Sequence, residues 1–236
     1  MTRHRVPAVR SAGAALLLAA ALSGGGSPAA ASSESLDAGA ATLMAVLRES
    51  AGANKQDERL EPWGKVTMQL EDGRELEIEA SWFHYLGDMH IRLVFDGPQK
   101  LQSATPEDLV RMRLDAEQAL TLAARNLRRI YGEPQVRPWA SGLMRVDGRA
   151  NDLSSSYFLD RQFWLDQQRQ HPNGLVAAVP QQGGLVFAPL DDQAAVDKLR
   201  FSAVALHAGA RHARISSALY LFREGKWSVF QPPRGH

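Results

Sequence analysis

The sequence predicts an α+β (mixed α/β) domain, an antiparallel-rich sheet packed against helices, with an N-terminal hairpin and a central helix-strand-strand-helix unit. Three observations carry this. Apolar and polar residues alternate on both sides of Asp72-Gly73, the pattern of a hairpin with one wet face. Leu175 to Val179 is apolar without alternation, as suits a strand covered on both faces, and after the turn Gln181 to Gly184 the run Leu185 to Ala188 is apolar again. Between these, Pro106 to Tyr131 repeats its apolar residues at three- and four-residue steps.

The first residues do not belong to that fold. Arg3, Arg5 and Arg10 form a basic region, Ala12 to Leu22 a short apolar one, and Ala29-Ala30-Ala31 supplies the small residues a signal peptidase requires. Residues 1–31 therefore read as a secretory signal peptide, cleaved after Ala31. The apolar run is well short of the roughly 20 residues that span a bilayer, so no stable membrane insertion is expected after cleavage. The expected location is periplasmic or secreted.

The chain has no cysteine. Disulfides, a lipid-modified Cys, zinc ribbons, iron-sulfur centres and thiol nucleophiles are thereby excluded. With 44% hydrophobic residues, the roughly 200 residues past the signal can bury a sufficient core without such links. Lys and Arg number 27 against 26 Asp and Glu, and three of the arginines lie in the signal. So balanced a charge argues against nucleic acid or a polybasic membrane-surface role.

Residues 32–61 are expected to form a helix and a linker. Leu36 to Ser50 places Leu36, Leu43, Val46 and Leu47 at helical steps, Gly52 stops it, and residues 53–61 are polar. Residues 62–236 hold the main domain. Val66, Met68 and Leu70, then Leu76, Ile78, Ala80 and Trp82, form the apolar face of the hairpin. Glu75, Glu77 and Glu79 form its solvent face; without a His in the row, a cation-binding strip is the weaker reading. A further strand runs from His84 to Phe95 and ends at Asp96-Gly97-Pro98. His84 and His90 flank Gly87-Asp88 without compact ligand spacing, so no metal site and no cofactor is expected.

The helix from Pro106 to Tyr131 has Thr105 as cap, Pro106 at its first position, and Glu107 and Asp108 at the positive end of the dipole. Leu109, Met112, Ala116, Leu120, Ala123, Leu127 and Ile130 form its buried stripe, and Gly132 and Pro134 stop it. Arg125, Arg128 and Arg129 gather near its C-terminal end, where they suit an anion or simply complement the dipole. Val136 to Val146 is a strand region interrupted by Pro138 and Gly142. Ser154 to Ser156 start a helix carrying Leu159, Phe163 and Trp164, which ends at His171-Pro172-Asn173-Gly174. After the buried strand pair, a helix begins at Asp191-Asp192 and runs through Val196, Leu199 and Ala203 to Gly209. Two closing strands, Ile215 to Phe222 and Trp227 to Phe230, meet at Arg223-Glu224-Gly225-Lys226.

Several of these blocks resemble the YtpQ-like family, a bacterial domain of unknown function. They are Ala124-Arg125-Asn126-Leu127-Arg128, the helix Ser155 to His171, the run Leu175 to Gln181, and the ending Ala218 to Lys226. The resemblance covers roughly Trp82 to Phe230 and lies in the order and spacing of the blocks. It implies a mixed α/β domain and brings no activity, substrate or catalytic residue. Family members lack an export signal, and this chain departs from them in that respect.

The familiar catalytic patterns are missing: no Gly-x-Ser-x-Gly elbow, phosphate-binding Gly-Lys-Ser/Thr loop, dinucleotide fingerprint or His-Glu-x-x-His. The best remaining polar cluster is His207, Arg211, His212 and Arg214. Its histidines have the residue type for proton transfer, and its arginines, Arg211 above all, for holding an anion. A solvated loop accounts for them as well. The expectation is an exported, non-enzymatic accessory or binding protein of the cell envelope whose partner is another envelope protein or a small ligand. The alternative is a metal-independent hydrolase or transferase using the His207/His212 loop.

Overall fold

Leu43 to Leu47 is apolar at every position, and it forms a strand where a helix was expected. In the computed structural model, which describes residues 39–69, 73–98 and 100–234, only residues 39–42 are helical before β1 (Leu43–Glu49). All five apolar residues are at most 7% exposed. A strand enclosed on both faces buries them all, whereas an amphipathic surface helix would have turned some of them to water. The expected signal peptide and the Asp72 end of the hairpin turn lie outside the described residues.

β1 pairs antiparallel with β6 (Met89–Asp96), from Leu43 opposite Phe95 to Glu49 opposite Met89. β6 is not continuous with His84, as the sequence had suggested. β5 (Trp82–His84) pairs back onto it across the turn at residues 85–88, and this sets His84 opposite His90. β2 (Glu61–Pro62) and β7 (Leu101–Ser103) complete this five-stranded sheet. The hairpin of β3 (Lys65–Gln69) and β4 (Glu75–Glu79) forms as expected, with Glu75, Glu77 and Glu79 exposed and Glu77 paired to Lys65 at 2.9 Å.

The second sheet has six strands in the order β13-β12-β10-β11-β9-β8, all antiparallel. They are β8 (Gln135–Pro138), β9 (Met144–Asp147), β10 (Leu175–Gln181), β11 (Gly184–Pro189), β12 (Leu219–Arg223) and β13 (Lys226–Gln231). Leu175 to Val179 is no more than 1% exposed, as its lack of alternation predicts. At the β12-β13 turn Glu224 and Gly225 both take positive φ (53° and 73°), the twist a two-residue hairpin needs.

The long expected helix is two helices. α1 (Pro106–Met112) ends where Arg113 turns left-handed at φ 56°, and α2 (Ala116–Tyr131) starts afresh. Each has its own capping box, Thr105 with Asp108 and Asp115 with Gln118. Two local starts outweigh one continuous stripe. Likewise Ser154, Ser155 and Ser156 do not begin an α-helix: they are buried in a 3-10 segment (Asn151–Leu159), and α3 (Arg161–Gln170) begins only after Asp160. α4 (Gln193–Gly209) is capped by Asp192, as expected.

α4 covers one face of the six-stranded sheet through Ala195, Val196, Leu199 and Ala203 against Val176, Ala178 and Val186. On the other face the 3-10 segment lies between β11 and β1, and α2 packs on β1, so one hydrophobic core spans both sheets. A buried polar link joins the sheets as well: the Tyr220 hydroxyl on β12 donates to Asp88 Oδ1 (3.2 Å) in the β5-β6 turn and lies 2.7 Å from Ser216 Oγ. Burial raises the Asp88 pKa despite these bonds.

Gly87 sits directly beneath that link at φ +63°, where an added Cβ would come within 2.6 Å of the Tyr220 oxygen. Gly87→Ala should therefore destabilise the protein by about 2–3 kcal/mol, combining left-handed strain with the close contact. Urea denaturation should show a lower midpoint with an unchanged slope.

Candidate functional site

A cleft of ≈ 580 Å³ lies beside α2. One wall is the α2 face carrying Glu117, Leu120, Thr121, Ala124, Arg125 and Arg128; opposite stand Phe158, Leu159 and Asp160 with Arg161, and Tyr85 and Trp227 also line it. Polar groups at three and four residue steps on one helix share a face, which is how a single helix furnishes a whole wall.

Asp160 fixes the opposite wall. It is 3% exposed. Its carboxylate accepts from Arg128 Nε (2.5 Å) and Nη2 (2.9 Å) and from the backbone N–H of Phe163 (3.1 Å). It is at once the N-cap of α3 and the partner of an α2 arginine. Arg128 also holds Glu133 at 2.7 Å, and these carboxylates, Asp160 foremost, raise its pKa. Arg161 reaches Glu58 (2.7 Å) and the Gly225 carbonyl (2.8 Å), tying the β12-β13 turn to the start of α3.

Three cleft groups stand apart from these pairs. Among the described residues, the Tyr85 hydroxyl, on a side chain 4% exposed, has no hydrogen-bond partner. Burial, reinforced by Glu58, pushes its pKa up. Arg125 and Glu117 likewise form no ion pair among the described residues, and partial desolvation, with Glu58 nearby, raises the Glu117 pKa.

A second polar group lies on the five-stranded sheet. His90, 2% exposed, has Ser50 Oγ 3.0 Å from Nδ1 and accepts from Arg92 Nε at Nε2 (2.9 Å). An imidazole accepting at Nε2 is neutral and carries its proton on Nδ1. Trp63 stacks on His84 at 4.3 Å, and Arg92 lies 3.8 Å above the Trp82 ring. Burial, then the charges of Arg92 and Arg48, hold the His90 pKa down to about 3, and burial, with Arg48, lowers that of Arg92 to about 10. His84 and His90 thus face one another, but no group of three or more metal-ligating side chains occurs among the described residues.

Of the arginines singled out in the sequence, only Arg125 lines the cleft uncommitted. Arg128 is held by Asp160, and Arg129 donates to the Ala41 carbonyl. Arg211, at φ 48°, and His212 are exposed beyond the end of α4. His207 Nε2 lies 3.0 Å from Glu49 Oε1, and neither histidine lines the cleft. Sequence reasoning missed Tyr85, Glu117, Glu58 and Arg161. Glu117 was accessible as the residue eight before Arg125 on a helix; Tyr85 carries no such signal, because only tertiary packing brings the β5-β6 turn to α2.

The chain matches no protein-family model, no curated protein and no solved structure.

Two outcomes follow from the buried polar groups. Asp160→Ala leaves Arg128 with Glu133 alone and α3 without its cap, and should cost about 2–3 kcal/mol in thermal or urea unfolding. Folded His90 binds its proton more weakly than the unfolded chain, whose His titrates near 6.5. Between about 3 and 6.5 the unfolded state therefore holds the extra proton, and stability falls as pH falls, by up to about 1.4 kcal/mol per unit. Comparing His90→Gln with the parent chain from pH 7 to pH 4.5 should show that slope reduced in the variant.

Proposed function

We propose that this is an exported, non-enzymatic binding protein of the cell envelope that takes a small organic ligand into the cleft beside α2. The observation that carries the reading is Tyr85, a residue 4% exposed whose hydroxyl has no hydrogen-bond partner among the described residues and which lines a concave site with Phe158 and Trp227. A hydroxyl at the wall of a cleft with no partner from the protein is open to a hydrogen bond from a bound ligand. A largely preformed, apolar cavity with a few convergent polar groups is the usual form of a small-molecule site. Export rests on the signal-like residues 1–31, and kinship with YtpQ-like proteins on the sequence blocks described above; both belong to the proposal.

Ala124 lies in the cleft wall on α2, so Ala124→Trp fills the cavity from a partly exposed helix position. Saturation-transfer NMR against a mixed panel of amino acids, short peptides, sugars and organic acids should give at least one compound with Kd below about 1 mM. That signal should vanish in Ala124→Trp while the melting temperature stays within a few degrees. A silent panel, or binding indifferent to Ala124→Trp, would reject the proposal.

A further inference from the structure

Resting on that reading, we infer that the ligand is a zwitterionic short peptide, of two or three residues with apolar side chains. Arg128 is bound to Asp160, and Arg161 to Glu58. One cation and one carboxylate are left over among the described cleft residues, Arg125 and Glu117, together with the Tyr85 hydroxyl. The unused set is complementary to a molecule carrying one positive and one negative end.

Their spacing sets its length. Glu117, Thr121 and Arg125 are four residues apart in turn on α2, which places the outer two about 12 Å apart along the axis. An extended peptide of two or three residues reaches about 7–10 Å, and the two side chains bridge the remainder. Between them the walls are Leu120, Leu159, Phe158 and Trp227, which suit apolar side chains. An adjoining hollow of ≈ 430 Å³ shares Glu117, Thr121 and Arg125, so the stripe is accessible along its length.

The orientation follows from the acids. Tyr85 lies within the field of Glu58, Arg161 and Glu117, and since Arg161 and Glu58 pair with each other, Glu117 is the acid left over there. The peptide amine therefore sits at that end, near the Tyr85 oxygen and aromatic faces, which attract a cation. The carboxylate sits on Arg125, whose planar guanidinium offers two parallel N–H donors.

Isothermal titration calorimetry with the purified protein and the tripeptide Ala-Leu-Phe tests this, alongside its N-acetylated form and its C-terminal amide. The free tripeptide should bind at least tenfold more tightly than either capped form. Glu117→Gln should abolish the penalty for acetylation alone, and Arg125→Gln the penalty for amidation alone. Equal binding of the three forms, or penalties that persist in both variants, overturns the inference. If all three peptides fail while a panel compound still binds in an Ala124→Trp-sensitive manner, the zwitterion is rejected and the cleft reading stands. If nothing binds, both fall.

Discussion

The shape of the cleft depends on one buried carboxylate. Asp160 accepts from two nitrogens of Arg128 on α2 and from the Phe163 amide of α3, so a single side chain sets both the start of α3 and its distance from α2. Buried ion pairs add little net stability, since desolvation offsets most of the attraction. Their effect is on geometry. A three-donor carboxylate satisfied at 2.5 to 3.1 Å tolerates little displacement, and any other packing of α2 on the 3-10 segment would strand Arg128 or Asp160 unpaired.

The apolar side of the cleft is just as firmly set, for a different reason. Phe158 and Trp227 stack with ring centroids 4.2 Å apart, and Trp164, fully buried, packs edge-on to Trp227 at 4.9 Å. These rings belong to the core that both sheets share, and two of them also line the cleft. Close-packed interiors do not deform continuously, so a site built partly from core rings is preorganised before any ligand arrives.

Elements with a local cause were readable from the sequence. Asp192 caps α4, a Glu-Gly turn joins β12 and β13, and Leu175 to Val179 is enclosed as its composition demands. What failed was a choice between two structures that both suit the same residues. Leu43 to Leu47 satisfies a helix stripe and a buried strand alike, and pairing with β6, some forty residues away, decides it. Arg113 to Asp115 carries no glycine or proline, yet the capping of α2 by Asp115 breaks the long helix there. The site was less legible than the fold. Three clustered arginines were visible, but which of them is free depends on Asp160 and on the Ala41 carbonyl, both distant in sequence.

That distinction between used and unused polar groups is what gives the cleft its meaning. Elsewhere this fold places most of its buried polar atoms in matched sets: Asp88 with Tyr220 and Ser216, Asn126 with the Ala40 and Leu43 carbonyls, His90 with Ser50 and Arg92. Each set joins elements far apart in the chain, and each is explained by the fold it closes. Arg125, Glu117 and Tyr85 close nothing among the described residues. Arg125 and Glu117 lie toward water, while the Tyr85 ring is buried and its hydroxyl is held at the cleft wall with no protein partner among the described residues. What sets Arg125, Glu117 and Tyr85 apart from the other polar groups is their place: all three lie at the wall of one cleft, where a partner that arrives from outside can reach them together.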